Sequence, residues 1–243
     1  MIYGIIGLSL LFVAIGFSLT ENNAKYLLSG YNTMREEDRN KVDIKAYVPY
    51  FRRFHIFLGV SFLLIGSPLS LISENASGVF LGTYPILAYI YFLLGSSKYS
   101  KGLSTKWSKV VIYILAGVLI FVIVLFALGF KEDRLIIHPT KIEILGSYGE
   151  EIIPSEIKTV ELVDDLPRIT MKVNGFALGA IKKGYFKTKE GEKIKLILNS
   201  GTKPYLLITK INGGKIYFSS KDTPIEAIYN KLKETLHNIV YEQ

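Results

Sequence analysis

Long gaps between charged residues constrain this chain more than any other feature of its sequence. From Val110 to Phe130 no charged side chain occurs, and the run is almost entirely Val, Ile, Leu, Phe and Ala, flanked by Lys109 and Lys131. A helix rises about 1.5 Å per residue and a bilayer core is about 30 Å thick, so roughly 20 such residues reach across it. A helix also satisfies its own backbone groups, which lipid does not. Three further gaps lie before Glu21, between Arg53 and Glu74, and between Glu74 and Lys98. Together they predict four transmembrane helices, at about residues 2–20, 55–73, 78–96 and 109–130. A chain of 243 residues leaves too little other mass to bury four such helices inside a soluble core.

The middle pair carries Pro68 and Pro85 and is joined by Glu74-Asn75-Ala76-Ser77. It reads as a hairpin of two full crossings by length, with a re-entrant pair as the alternative. The first span resembles a signal peptide in length only. Met1-Ile2-Tyr3-Gly4 has no basic residue, and no small-x-small cleavage pattern follows Phe17-Ser18-Leu19, so an uncleaved helix is expected.

Lys and Arg gather in the first loop, residues 21–54, and in the third, at Lys98, Lys101, Lys106 and Lys109; the N-terminus and the second loop have none. The positive-inside rule then makes both basic loops cytoplasmic, and places the N-terminus and everything after Phe130 outside. A re-entrant middle segment would reverse the second placement. Within the first loop, Thr33-Met34-Arg35-Glu36 has capping-box spacing and Arg35 to Lys41 reads as a short charged helix. Tyr47, Tyr50, Phe51 and Phe54 beside Arg52 and Arg53 suit the headgroup region as an anchor.

Past Lys131 the composition changes to short β-rich runs separated by turn signals, so the chain divides into a membrane region, 1–130, and a soluble domain, 131–243. Nine strands are expected, at 135–138, 141–145, 151–153, 158–163, 169–173, 184–189, 193–198, 205–209 and 215–218. Turns are expected at Asn174-Gly175, Glu190-Gly191, Asn199-Ser200-Gly201 and Asn212-Gly213-Gly214. Such strands make an antiparallel sandwich or small barrel. Thr223-Pro224-Ile225-Glu226 then starts an amphipathic helix, 224–240, with Ile225, Ile228, Tyr229, Leu232, Leu236 and Ile239 on one face.

Strands closed by one C-terminal helix form the pleckstrin-homology layout. The stretch from Ile144 to Phe186, through Gly146-Ser147-Tyr148-Gly149, Asp165-Leu166-Pro167, Asn174-Gly175-Phe176 and Lys183-Gly184-Tyr185-Phe186, resembles bacterial pleckstrin-homology-like domains attached to membrane segments. Gly30-Tyr31-Asn32-Thr33-Met34 and the charged run after it resemble the DUF3784 family of bacterial membrane proteins. The fold class so implied is an α-helical membrane region plus an all-β pleckstrin-homology-like domain closed by one helix. Neither family supplies a catalytic residue.

The residues themselves argue against several chemistries. The chain has no Cys, and His55, His138 and His237 have no ligand spacing, so no protein-borne metal site or cofactor is expected. Asp164-Asp165 before Leu166-Pro167 reads as a turn, and no nucleophile elbow, phosphate-cradling loop or HExxH motif occurs. No charged side chain interrupts the spans, which disfavours a coupled transporter. Gly78 and Gly82 have GxxxG spacing, compatible with helix contact. Lys182, Lys183, Lys187 and Lys189 form the dense basic cluster of the domain and are the candidate lipid- or partner-binding residues. The expectation is therefore a non-enzymatic membrane protein that displays its domain to membrane lipids, a protein partner or a second copy, with no role for nucleic acid. The alternative is a membrane enzyme or accessory subunit acting through the first cytoplasmic loop, which changing Tyr31, Asn32 and Glu36 together would tell apart from a display protein.

Overall fold

The structure, a computed structural model, describes residues 1–28, 31–100 and 106–241. Gly30 and Lys101, both used above, lie outside these residues, as do the side chains of Lys106 and Ile239. The chain divides into two compact units, Met1–Leu125 and Phe126–Gln243.

The first unit is helical. Among the described residues three helices are long and apolar enough to cross a membrane. They are α4 (Ile44–Ile72), α5 (Glu74–Ser96) and α6 (Lys106–Phe130). The first expected span forms α1 (Ile2–Ser18), an apolar helix of 17 residues. Between α1 and α4 the linker carries two short helices, α2 (Ala24–Leu27) and α3 (Glu36–Arg39). The helix starts later than the capping-box spacing implies: the N-cap of α3 is Arg35, whose side chain makes no capping bond. The link between α4 and α5 is also shorter than expected. Ser73 alone separates them, ending α4 and accepting from the Ala76 amide at 3.2 Å to start α5, so Glu74 to Ser77 is helix.

Helix α1 presents Ile5, Ser9, Phe12 and Gly16 as one buried stripe, and antiparallel α4 answers it with small residues of its own. A Cβ on Gly59 would come within 2.6 Å of the Ser9 carbonyl and of Val13, and one on Gly16 within 3.0 Å of His55. Helix α5 returns along α4 as an antiparallel hairpin held by rings. Phe62 stacks on Phe80 at 5.1 Å, and Tyr50 stacks on Phe92 at 5.2 Å near the other end.

The described residues of the second unit form the strands β1 (Arg134–Ile137), β2 (Ile142–Leu145), β3 (Glu150–Ile152), β4 (Ile157–Val163), β5 (Ile169–Leu178), β6 (Ile181–Thr188), β7 (Lys193–Leu198), β8 (Tyr205–Lys210) and β9 (Lys215–Ser219), then helix α7 (Ile225–Tyr241). Strands β1 to β3 form an antiparallel sheet, and the other six form a second sheet in the order β4-β8-β9-β7-β6-β5. The β7–β9 pair is parallel, so the larger sheet is mixed rather than antiparallel throughout.

Topology forces that sheet to curl. Strands β4 and β5 occupy opposite edges, about 24 Å apart across five flat intervals of ~4.8 Å. Yet only residues 164–168 join them, a reach of about 21 Å when fully extended. The linker's Leu166 accordingly packs with Phe186, Leu196, Leu207 and Tyr217 over one face. The other face is covered by Ile142, Ile144 and Ile152 of the small sheet and by Ile225, Ile228 and Leu232 of α7. The central strands are therefore buried on both sides.

One expected turn is instead a strand. Asn174-Gly175 lies inside β5, where Gly175 (φ 145°) and Gly184 (φ 128°) face each other just past the register shift between Lys172 and Asn174. A Cβ on either would collide with the opposite backbone, so both positions need glycine. The hairpin reverses five residues later, at Gly179-Ala180.

Candidate functional site

Three lysines of the larger sheet meet two carboxylates, Asp133 just before β1 and Glu150 of β3. Lys183 of β6 pairs across the sheet with Ile197, a core residue, so its side chain points into the same interior. There its Nζ lies 3.4 Å from Asp133 Oδ2, with both side chains almost fully buried, and donates to the Lys131 carbonyl. Lys195 of β7 and Lys210 of β8 share Glu150, at 2.8 and 2.7 Å.

Burial raises the Asp133 carboxyl above its usual range, against the pull of Lys183, and lowers the Lys183 ammonium, against the pull of Asp133. Burial would raise Glu150 too. The hydrogen bonds and charges of Lys195 and Lys210 together exceed that effect and hold its carboxyl below the usual range.

These contacts converge on the residues that follow α6. Lys131 gives its carbonyl to Lys183. Glu132 Oε1 accepts from the Lys221 amide at 2.8 Å and from Ser220 Oγ at 3.1 Å. Asn199 brackets Asp133, accepting from its amide at 2.9 Å and donating to its carbonyl at 2.8 Å, with a further bond to the Ser219 carbonyl. Three consecutive residues at the helix exit are thus gripped from β6, from the β7–β8 connection and from the segment after β9. A Cβ on Gly146 would collide with the Asp133 carboxylate, which explains that glycine.

The four candidate lysines do not form one patch. Lys183 is consumed by the junction just described. Lys182 points to the other side of the strand, and its Nζ donates to the Gly179 carbonyl at 3.2 Å beside the hairpin turn. Lys187 and Lys189 are exposed at the opposite end of β6, roughly 16 Å away at ~3.3 Å per residue. Sequence spacing missed Asp133, Glu150 and Asn199. Strand alternation carries the signal for Lys183 and Lys195, since both share parity with Ile181 and Ile197; nothing local marks Asn199, whose Asn-Ser-Gly context has turn composition.

In the helical unit, His55 is buried among Phe51, Phe54, Tyr89 and Phe92. Its Nδ1 lies 2.8 Å from the Phe51 carbonyl, which only accepts, so Nδ1 carries the proton; Nε2 meets the Tyr89 hydroxyl at 3.2 Å. It joins α4 to α5. In the first linker, Arg39 closes the turn before α3, donating to the carbonyls of Asn32 (3.3 Å) and Met34 (3.1 Å) with its guanidinium 5.7 Å from the Tyr31 ring. Among the described residues no group of three or more His, Asp or Glu could hold a metal ion.

Residues 6–100 match the family model of a domain of unknown function, DUF3784. The match runs from α1 through the end of α5, which is the bundle whose packing is described above. No curated protein and no solved structure matches the chain. The matched region and the apolar helices together mark a multi-pass membrane protein, carrying a β-sheet domain and a C-terminal helix.

Proposed function

We propose that this chain is a non-catalytic membrane protein that holds its β domain, a pleckstrin-homology-like module, firmly on the exit of its last span as a binding module at the bilayer surface. The observation that carries the reading is the grip on Lys131, Glu132 and Asp133. A domain tethered for free diffusion needs an open linker, whereas here the first residues past α6 are already part of the fold.

Four crossings complete the reading. Helix α1 lies against α4 from Arg52 to Gly66, at the depth of that span, and its 17 residues reach the lower end of spanning length. The α4–α5 hairpin is paired along its whole length, which favours two full crossings over a re-entrant pair. Lys41 and Lys98 lie on one end of it, where the Asp43 amide meets the Tyr99 carbonyl at 2.9 Å. With that end cytoplasmic, α6 carries the domain to the outside whether or not α1 crosses.

Hydrogen exchange on the full chain in nanodiscs tests the rigid exit. The Asp133 amide is expected to exchange as slowly as the amides of β7 and β8, and to be released in Asn199→Ala. Exchange at Asp133 as fast as in an open linker would overturn the reading.

A further inference from the structure

The β5–β6 hairpin has a composition that the junction does not require. Between Asp165 and Glu190 the chain has no acidic residue, while Arg168, Lys172, Lys182, Lys187 and Lys189 are all available at its surface beside the buried Lys183. Its far end, from Val173 to Ile181, is uncharged. Ala177 and Ala180 are exposed there, and Val173 is 47% exposed on the strand leading to it.

That uncharged end rests on the last turns of α6. Phe176 meets Phe130 edge-on with ring centroids 5.6 Å apart and Phe126 at 6.5 Å, and Gly129 makes room for it, since a Cβ there would fall 2.5 Å from its ring. All of these residues belong to the second unit, so the contact is internal to it. It fixes a depth. Phe126 lies four residues before the helix end, about 6 Å along the axis, so Phe176, three residues before the Gly179 turn, lies level with the final turn of the span.

From this geometry we infer that the β5–β6 tip is a membrane-interface wedge: residues 176–180 enter the acyl boundary beside α6, and Lys182 with Lys172 and Lys131 bind the phosphates of an anionic lipid surface. The inference rests on the reading of α6 as a span. Insertion by a few ångströms matches the depth at which monotopic segments bury apolar side chains, and lysines just behind an apolar tip gain from anionic headgroups. Lys182 is placed for this, because its ammonium already folds back over the Gly179 turn. A partner of acidic protein chemistry would be served by the lysines but not by an uncharged tip level with a transmembrane helix.

The test uses the single tryptophan of the chain, Trp107. On a Trp107→Phe background, the full chain is placed in nanodiscs containing lipid brominated near the top of the acyl chain, with Ala177→Trp or Ala180→Trp as tip reporters, Phe121→Trp as the span reporter and Ser147→Trp as the aqueous one. Expected are quenched, blue-shifted emission at either tip position and at Phe121→Trp, and none at Ser147→Trp. The tip signal should weaken when phosphatidylglycerol is replaced by phosphatidylcholine, and in Lys172→Glu with Lys182→Glu. Unquenched tip reporters beside a quenched span reporter overturn the wedge and leave the span reading intact. An unquenched span reporter overturns both. Tip quenching indifferent to phosphatidylglycerol overturns the anionic specificity.

Discussion

The two units of this protein hold their elements together by opposite means. In the helical unit, α1 and α4 approach through Gly16 and Gly59, and α4 and α5 through stacked rings, with His55–Tyr89 as a polar cross-link. Its one described ion pair, Lys41–Asp38, sits in the exposed linker. In the β unit, Asp133–Lys183 and the Lys195–Glu150–Lys210 cluster cross from one sheet layer to the other. Lipid is as apolar as the side chains facing it, so close backbone packing is what brings helices together there. A domain folding from water has hydrophobic burial to drive it and tolerates buried charges where each finds its partner.

The contrast breaks first at Lys183. Lys183→Ala leaves Asp133 buried and unpaired, a loss of about 3–5 kcal/mol. Most of it should return in Lys183→Met combined with Asp133→Asn, followed by thermal unfolding of the full chain in detergent. A single variant as stable as the parent would show that the pair does not fasten the layers.

Next in size is Gly59→Val, whose side chain meets the Ser9 carbonyl and Val13 and should cost about 1–3 kcal/mol. Gly7→Val serves as its counterpart, because nothing lies within 4 Å of a Cβ there. Equal melting temperatures for the two variants would remove the close α1–α4 contact from the account.

Acid sharpens the comparison further, since the β unit holds the buried Asp133 and the half-buried Glu150, each against a lysine. Glu150 sits below its usual range in the folded state, so its contribution is present above the unfolded carboxylate value and fades as pH falls through the folded one. Asp133, raised by burial, works in the opposite sense: its contribution is present below the unfolded value and lost as pH rises through the folded one. Stability measured against pH should therefore lose part of its acid-side fall in Glu150→Gln. In Asp133→Asn the same fall should steepen. The smallest effect is expected at Lys187→Ala and Lys189→Ala, exposed positions where the melting curve should shift by no more than about 0.5 kcal/mol.

Legibility in the sequence followed the same divide. Apolar runs and charge gaps located α4, α5 and α6 to within a few residues at most ends, because lipid imposes a one-dimensional length requirement; α4 alone extends well past its gap, through Arg52 and Lys45 to Ile44. All nine strands were visible as β-rich runs with turn residues between them. What was not visible was long-range. The parallel β7–β9 pairing depends on which strands become neighbours after curling, and Asn174-Gly175 has turn composition while serving a strand bulge. The four lysines are neighbours along the chain, whereas alternation sends Lys183 inward and Lys182 outward. Asp133 and Asn199 are 66 residues apart and meet only once the β7–β8 connection folds against the helix exit.

The side of the membrane on which the β domain lies is the central claim, and single cysteines test it most directly. The chain contains no Cys, so Glu37→Cys in α3 and Ser147→Cys and Glu190→Cys in the β domain, all at exposed positions, give clean signals with a membrane-impermeant maleimide. In intact cells Ser147→Cys and Glu190→Cys should label, and Glu37→Cys only after permeabilisation. Labelling of Glu37→Cys in intact cells, with both domain positions protected, would contradict the account and place the domain on the cytoplasmic face.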